Sequence, residues 1–170
     1  LGDNGLVEGS GTQWRGEGEN DGGGASVFDG EWGVNMNLVT SIDLNGYKSI
    51  KALTSLSLAP INVLIGANGA GKSNFISFFK MMNWMTFAPN QLQFYISKVG
   101  GANSILYDGS STTSQIQANL TIETEAGKND YFFRLFHASP DTLVFAEERF
   151  KFTRPGNSQS STWSDLGSGH

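Results

Sequence analysis

The sequence contains no cysteine, only two histidines and only four prolines. The lack of cysteine excludes disulfides and thiolate-based zinc sites, so nothing in the composition requires an oxidising compartment. No apolar run approaches the roughly 18 residues that a membrane-spanning helix needs. With 38% hydrophobic and 12% aromatic residues, however, the chain can build a core of moderate size. We therefore expect a cytoplasmic protein that makes no membrane contact.

Acidic residues and glycines are concentrated near the N-terminus, although the net charge of the whole chain is only −5. Residues 1–35 hold 11 of the 22 glycines, and their seven acids against one arginine give −6. Residues 36–170 hold nine acids and ten bases, which give +1. Because the acidic segment has little to bury, ordering it would cost entropy without compensation. We predict a disordered, acidic, Gly-rich arm at 1–36, a folded lobe at 37–154 and a flexible tail at 155–170.

Short strands are predicted at the start of the lobe. Leu38–Leu44 alternates imperfectly and ends at Asn45-Gly46, a dipeptide typical of tight hairpin turns, after which Tyr47–Ile50 resumes the strand pattern. Ser55–Leu58 alternates as well. The apolar run Ile61–Ile65 then follows a proline and is typical of a strand buried on both faces.

A complete phosphate-binding pattern follows this run. It has the Walker A form G-x-x-x-x-G-K-[ST], in which the glycines permit sharp turns and close backbone approaches to the phosphates of ATP. The helix expected after it would present unpaired N–H groups and its dipole to the same anion. Lys72 would contact the β- and γ-phosphates, and the Ser73 hydroxyl would ligate Mg²⁺. The pattern consists of Gly66, Ala67, Asn68, Gly69, Ala70, Gly71, Lys72 and Ser73.

Two helices and a set of strands are predicted after the loop. A helix from Lys72 to Met85 is apolar nearly all round, so it should lie between layers or be covered by another segment. A short helix is predicted at Gln91–Lys98. Three segments with strand patterns then predict an antiparallel meander, which makes the fold class α/β with α+β character. The apolar stretches of these segments are Ile116–Ile122, Tyr131–Phe136 and Thr142–Ala146.

Several motifs of the lobe are shared with a known family. They are Asn45–Ile50, the Pro60–Ile65 run, the loop Gly66–Asn74, the aromatic helix after it, Gly100–Tyr107 and Glu147–Phe150. Together they resemble the N-terminal part of bacterial AAA-type ATPases with ABC-like heads, the group that includes the RecF, SMC and OLD proteins. The resemblance covers residues 37–154.

This resemblance implies an ABC-head-like P-loop lobe, in which a mixed sheet with the P-loop helix joins the antiparallel meander. It implies ATP and Mg²⁺ as cofactors, Asn74 as part of the nucleotide loop, and a second ATPase head that encloses ATP in a homodimer. The family also places a basic residue of the early strands near the nucleotide, and Lys48 is the position that fits. DNA is a possible partner only because members of the resembled family bind it. The sequence itself shows no basic cluster that would indicate DNA binding.

The elements that ATP hydrolysis needs are not evident. Leu143–Glu148 imitates a Walker B strand, with mostly apolar residues before two acids, which makes Glu147 and Glu148 catalytic candidates. An ordinary strand that ends in a surface Glu pair explains the same pattern. We expect the true Walker B and signature segments beyond residue 170, so that this chain binds ATP with little or no turnover.

Two other functions stay open at this point. The first is a stand-alone nucleotide-responsive binding module without turnover. The second is a small P-loop kinase, which needs a lid with arginines and alternating βα units. Only Arg134, Arg149 and Arg154 follow the loop, and a meander replaces the βα units, so the sequence favours the ATPase lobe over the kinase.

Overall fold

In the part of the chain that the structure describes, six strands form one antiparallel sheet and two helices cover one of its faces. The computed structural model describes residues 37–88, 90–156 and 161–167, all within one compact unit of the chain. The arm predicted at 1–36 therefore lies outside the described residues. The elements are β1 Leu38–Tyr47, β2 Ile50–Ser57, α1 Lys72–Phe87, α2 Gln91–Lys98, a 3₁₀ turn Ala102–Ser104, β3 Gln115–Thr124, β4 Gly127–Ala138, β5 Thr142–Thr153 and β6 Ser164–Gly167. The order of the strands in the sheet is β2-β1-β3-β4-β5-β6.

Alternation along the strands separates an apolar face of the sheet from a polar one. On β3, Ile116, Ala118 and Leu120 are buried, and the residues between them point to the opposite face. The helices close the apolar face, so the core lies between the helices and the meander. Within the described residues, no helix is long and apolar enough to cross a membrane. The buried helix residues are Phe78 and Met81 of α1 and Leu92, Tyr95 and Ile96 of α2.

The strongly periodic segments fold as predicted. Helix α1 begins at Lys72 and ends two residues beyond Met85, and α2 has the predicted bounds. The antiparallel meander β3-β4-β5 is confirmed, with strands longer than their apolar stretches. Pairing continues through polar residues, as where Lys128 of β4 lies opposite Thr153 of β5. The backbone ladder therefore extends beyond the residues that reach the core.

The first hairpin turns at Lys48-Ser49, so the turn predicted at Asn45-Gly46 is wrong. Tyr47 pairs with Ile50 across the two turn residues, and Gly46 stays within β1. Gly46 has φ +76, and a Cβ there would lie 2.3 Å from the carbonyl oxygen of Gln115. This glycine is therefore required by a close approach to β3 and not by a turn.

The apolar run Ile61–Ile65 forms no strand, which contradicts the prediction. Ile61, Val63 and Ile65 are 84%, 77% and 91% exposed, and the described sheet contains only antiparallel pairs. The mixed sheet expected around this run is therefore wrong for the described residues. An apolar pattern indicates a need for burial, but a strand also needs a neighbouring backbone for its hydrogen bonds, and no described strand pairs with this segment.

A short strand lies within the tail predicted at 155–170. Residues 164–167 form β6, which pairs antiparallel with β5. The guanidinium of Arg149 lies 4.5 Å from the ring centre of Phe132 and 4.9 Å from that of Trp163. This stack anchors the segment that precedes β6. The Ser- and Gly-rich composition gave no sign of this contact. The prediction that the tail is unstructured is therefore wrong for β6.

Asp130 is a buried acid on the polar face of the meander, only 8% exposed. It accepts a 2.9 Å hydrogen bond from Thr121 and pairs with Lys128 at 3.3 Å and Lys151 at 3.2 Å. Burial raises its pKa, but the hydrogen bonds and lysine charges outweigh burial and hold the pKa below the ordinary 3.8. The resulting stabilisation is present above the unfolded-state pKa and is lost as the pH falls through the folded-state value.

We expect Asp130→Asn to lower the free energy of unfolding at pH 7 by about 1 to 3 kcal/mol, because two lysines lose their charged partner. The variant should also lose part of the acid sensitivity of the wild type. Urea unfolding at pH 7 and pH 3 measures both effects. Glu123→Gln, at an exposed position on β3, is the control. An unchanged pH dependence in Asp130→Asn would contradict the assignment.

Candidate functional site

The glycine-rich loop leads from the exposed apolar run into the N-terminus of α1. Gly69 and Gly71 have φ of +86 and +88, in the left-handed region that favours glycine. Gly71 is the N-cap of α1, and no side chain caps the helix. The first turn also contains no acidic residue. The N–H groups and the positive end of the helix dipole therefore remain available to an anion.

Lys72 folds back over this loop. Its Nζ donates hydrogen bonds of 2.7 Å to the carbonyl oxygens of Gly66 and Ala67. The ammonium thus lies against the backbone of the loop, close to the helix N-terminus. An anion bound by the loop would replace these neutral acceptors with charged oxygens, which form stronger hydrogen bonds.

Two adjoining depressions share Gly71 and Lys72. The smaller has a volume of about 180 Å³ and is lined by residues 68–74, which include the hydroxyl-bearing Ser73 and the amide of Asn74. The larger, about 430 Å³, lies between β2 and the loop and falls within the size range of small-ligand pockets. Lys51 and Ser49 supply polar groups to it. Its apolar wall consists of Ile50, Leu53, Leu56, Leu64, Ile65 and Phe75.

The turn between β1 and β2 is fastened to the start of α1. Asn74 Nδ2 donates a 2.8 Å hydrogen bond to Ser49 Oγ, and a Cβ at Gly71 would lie 2.9 Å from the same oxygen. One helical turn further on, the Tyr47 hydroxyl and Ser77 Oγ are joined at 2.9 Å. The early hairpin and the glycine-rich loop therefore share one hydrogen-bonded junction.

Lys48, the basic residue that the resemblance would place near the nucleotide, lies in this turn, and that role stays a prediction. Its backbone is left-handed, with φ +47, and its Nζ lies 5.7 Å from the ring centre of Tyr47. Burial lowers the pKa of Lys48. The neighbouring Ser49 contacts Gly71 and Asn74, so the structure brings the turn of Lys48 against the loop.

Residues 101–110, here called the supporting segment, also bind the β1–β2 turn through backbone hydrogen bonds. The backbone N–H of Lys48 donates to the carbonyl oxygen of Ile105 at 2.7 Å, and that of Tyr107 donates to Gly46 at 3.0 Å. In the sequence this segment stands out only as part of a motif shared with the family, with no role attached. The sequence features that mark the segment are the glycine pair Gly100-Gly101 and the Asp108-Gly109 turn.

Asp141 binds the supporting segment through hydrogen bonds. The sequence alone did not identify it as a residue of this site. Its carboxylate accepts a 2.9 Å hydrogen bond from the backbone N–H of Asn103 and lies 3.4 Å from His137 Nε2. Gly101 beside this carboxylate has φ +90, in the left-handed region that favours glycine. A carboxylate that closes a loop so distant in sequence leaves no local pattern by which to recognise it.

Glu147 and Glu148 lie on β5, which is separated from β1 by β3 and β4. Glu147 pairs with Arg149 at 3.0 Å and with Arg134 at 3.5 Å. Glu148 accepts a 2.5 Å hydrogen bond from Tyr131. Burial raises the pKa of Tyr131, and this hydrogen bond raises the pKa further. Both acids therefore have partners within the meander, and their catalytic role stays a prediction.

The described residues contain no group of three or more His, Asp or Glu side chains that could hold a metal ion. Ser73 stands alone as the predicted protein ligand of Mg²⁺. In loops of this pattern the Ser or Thr hydroxyl ligates Mg²⁺ beside the nucleotide phosphates, and this role of Ser73 stays a prediction.

The comparison with protein families agrees with this geometry. Residues 61–166 match the AAA-domain family that is described as AbiEii toxin-like and of the type IV toxin–antitoxin system. The match covers more than half of the chain, and the chain belongs to this AAA-domain family, whose members are nucleotide-binding domains of the ATPase type. No curated protein and no solved structure matches the chain.

Proposed function

We propose that this chain is the ATP-binding N-terminal part of an ABC-like AAA-type ATPase. The observation that carries the proposal is the glycine-rich loop at the uncapped N-terminus of α1, with the Lys72 ammonium folded onto its backbone. Such a loop combines backbone N–H groups, the positive end of a helix dipole and a cation, which together suit a polyphosphate. The match to the AAA-domain family supports the nucleotide as ligand.

The phosphates of ATP would occupy the depression lined by residues 68–74. Lys72 would exchange its bonds to the loop carbonyls for bonds to β- and γ-phosphate oxygens. Ser73 would hold Mg²⁺, a hard cation that neutralises charge on the phosphates and orients them. Asn74 and Lys48 would complete the polar contacts, since their shared junction lies at the edge of the loop.

The base and ribose would lie in the larger depression between β2 and the loop. Its polar side chains and apolar wall suit a flat ring attached to a charged chain. Leu53 and Phe75 contribute apolar surface, whereas Lys51 and Ser49 lie near the polar edge. This arrangement would place the nucleotide along the junction of the hairpin and α1.

The chain itself would bind ATP with little or no hydrolysis. Phosphoryl transfer to water needs a group that positions the water and further charges that stabilise the transition state. Glu147 and Glu148 are already paired on β5, so we place the catalytic acid and signature segment on further sequence and on a second ATPase head in a homodimer. DNA as a partner rests on the family resemblance alone, and a cytoplasmic location stays an expectation from the composition.

The proposal predicts that Mg-ATP binds in a calorimetric titration while phosphate release stays at the level of a Lys72→Ala control. A nucleotide-responsive module without turnover would give the same two results, and a change in partner binding with ATP would distinguish it. Turnover of about 1 s⁻¹ is typical of a working enzyme. If this rate were measured and disappeared in Glu147→Gln or Glu148→Gln, β5 would be the hydrolytic strand and our assignment of that role to further sequence would be wrong.

A further inference from the structure

One half of the lobe carries positive charge without any acid. Residues 44–107 contain no Asp or Glu. The described ion pairs join residues of β4, β5 and the turn between them, outside this acid-free segment. Among the described residues, therefore, no ion pair balances its positive charge. The lysines of the segment are Lys48, Lys51, Lys72, Lys80 and Lys98.

The proposed nucleotide accounts for only three of these five lysines. Lys72 lies on the loop, Lys48 lies in the turn beside it, and Lys51 lines the larger depression. Lys80 is eight residues further along α1, about 12 Å from the loop at the helical rise of 1.5 Å per residue. Lys98 is in the last turn of α2. These two lysines need a separate explanation.

Lys80 and Lys98 line one groove between α1 and α2, with a volume of about 560 Å³. The ring of Trp84 lies within it, 5.7 Å from Lys98 Nζ and 6.3 Å from the ring centre of Tyr95. Phe94, 56% exposed, packs on Trp84 at 5.6 Å. The groove thus combines an aromatic floor with two exposed ammonium groups. Its remaining lining residues are Phe79, Asn83 and Val99.

We propose that this groove binds an acidic peptide segment of a partner protein. Carboxylates of the segment would pair with Lys80 and Lys98, and its apolar side chains would cover Trp84. A nucleic acid fits less well. Its backbone needs a longer track of cations, and its bases need open aromatic faces, whereas Trp84 already lies against Phe94, Tyr95 and Lys98.

The experiment is a selection from a random-peptide display library on the full chain, followed by affinity measurements with the selected peptides as synthetic probes. The selected sequences should combine Asp or Glu with large apolar residues. Lys80→Glu and Lys98→Glu should each weaken their binding about tenfold, and added salt should weaken binding to the wild type. Bound peptide should shift the indole N–H resonance of Trp84 and leave that of Trp163 unchanged.

Arg154→Glu is the matched control, because it reverses the same charge at an exposed residue outside the groove. The milder Lys80→Gln and Lys98→Gln should weaken peptide binding about threefold. Lys72→Ala should leave peptide binding unchanged, which separates this proposal from that of the nucleotide site.

Three results would overturn the peptide site. The selected peptides could lack acidic residues. The reversed lysine variants could bind the peptides as tightly as Arg154→Glu does. A single-stranded oligonucleotide could displace the peptides and depend on Lys80 and Lys98, which would make the groove a nucleic-acid site.

Discussion

A Lys72→Ala chain should bind Mg-ATP between about ten and a hundred times more weakly than the wild type. The Lys72 ammonium is the only cation with hydrogen bonds to the described residues of the loop. A hydrogen bond between charged groups contributes about 1.5 to 3 kcal/mol, and each 1.4 kcal/mol is a tenfold change in affinity. Isothermal calorimetry with Mg-ATP on both chains measures the difference directly.

Arg154→Ala removes the same charge at an exposed position and should bind Mg-ATP like the wild type. Because Lys72 also bonds to Gly66 and Ala67, the melting temperature of each variant must be compared as well. A folded Lys72→Ala chain with wild-type affinity would remove the basis for placing the phosphates on this loop. A loss of affinity shared by Arg154→Ala would show a general effect of charge.

The parts of the fold that the sequence predicts well are those encoded by neighbouring residues. The helix that starts at Lys72 and the short helix Gln91–Lys98 follow from local apolar periodicity. The meander follows from the strand patterns of three segments, Ile116–Ile122, Tyr131–Phe136 and Thr142–Ala146. The loop pattern fixes its own position relative to α1, because glycines and lysine occur at set distances.

The parts that sequence reasoning missed depend on residues far apart in the chain. Gly46 serves a close approach to Gln115, nearly seventy residues later, so its Asn-Gly dipeptide predicts a turn that forms elsewhere. Ile61–Ile65 has the composition of a buried strand, but no described strand pairs with it. The composition of a segment indicates that it needs burial, but it does not indicate which other strand would pair with its backbone.

The same limit applies to the candidate site. Lys72 and Ser73 are identified by the loop pattern, whereas the contact of Ser49 with Asn74 and the carboxylate of Asp141 are visible only in three dimensions. Serine and aspartate are common in loops for many reasons. Their roles emerge here because the β1–β2 turn, the supporting segment and α1 converge on one junction.

Phe133→Ala should cause the largest loss of stability, about 3 to 5 kcal/mol in the free energy of unfolding. Phe133 is fully buried at the centre of β4. Its ring stacks on Phe78 of α1 at 6.3 Å with an interplanar angle of 8° and also contacts Tyr131 and Phe145. Truncation would open a cavity between α1 and the meander. Urea unfolding monitored by circular dichroism measures the loss.

Phe136→Ala removes the same ring from the same strand at a position that is 44% exposed, so it should lower the free energy of unfolding much less. Phe133→Leu retains most of the apolar volume and should fall between the two. Because domains are commonly stable by only about 5 to 15 kcal/mol, Phe133→Ala should also release α1 and its loop at moderate temperature. If the two alanine variants lost equal stability, the contact of Phe78 with Phe133 would not be what holds α1 on the sheet.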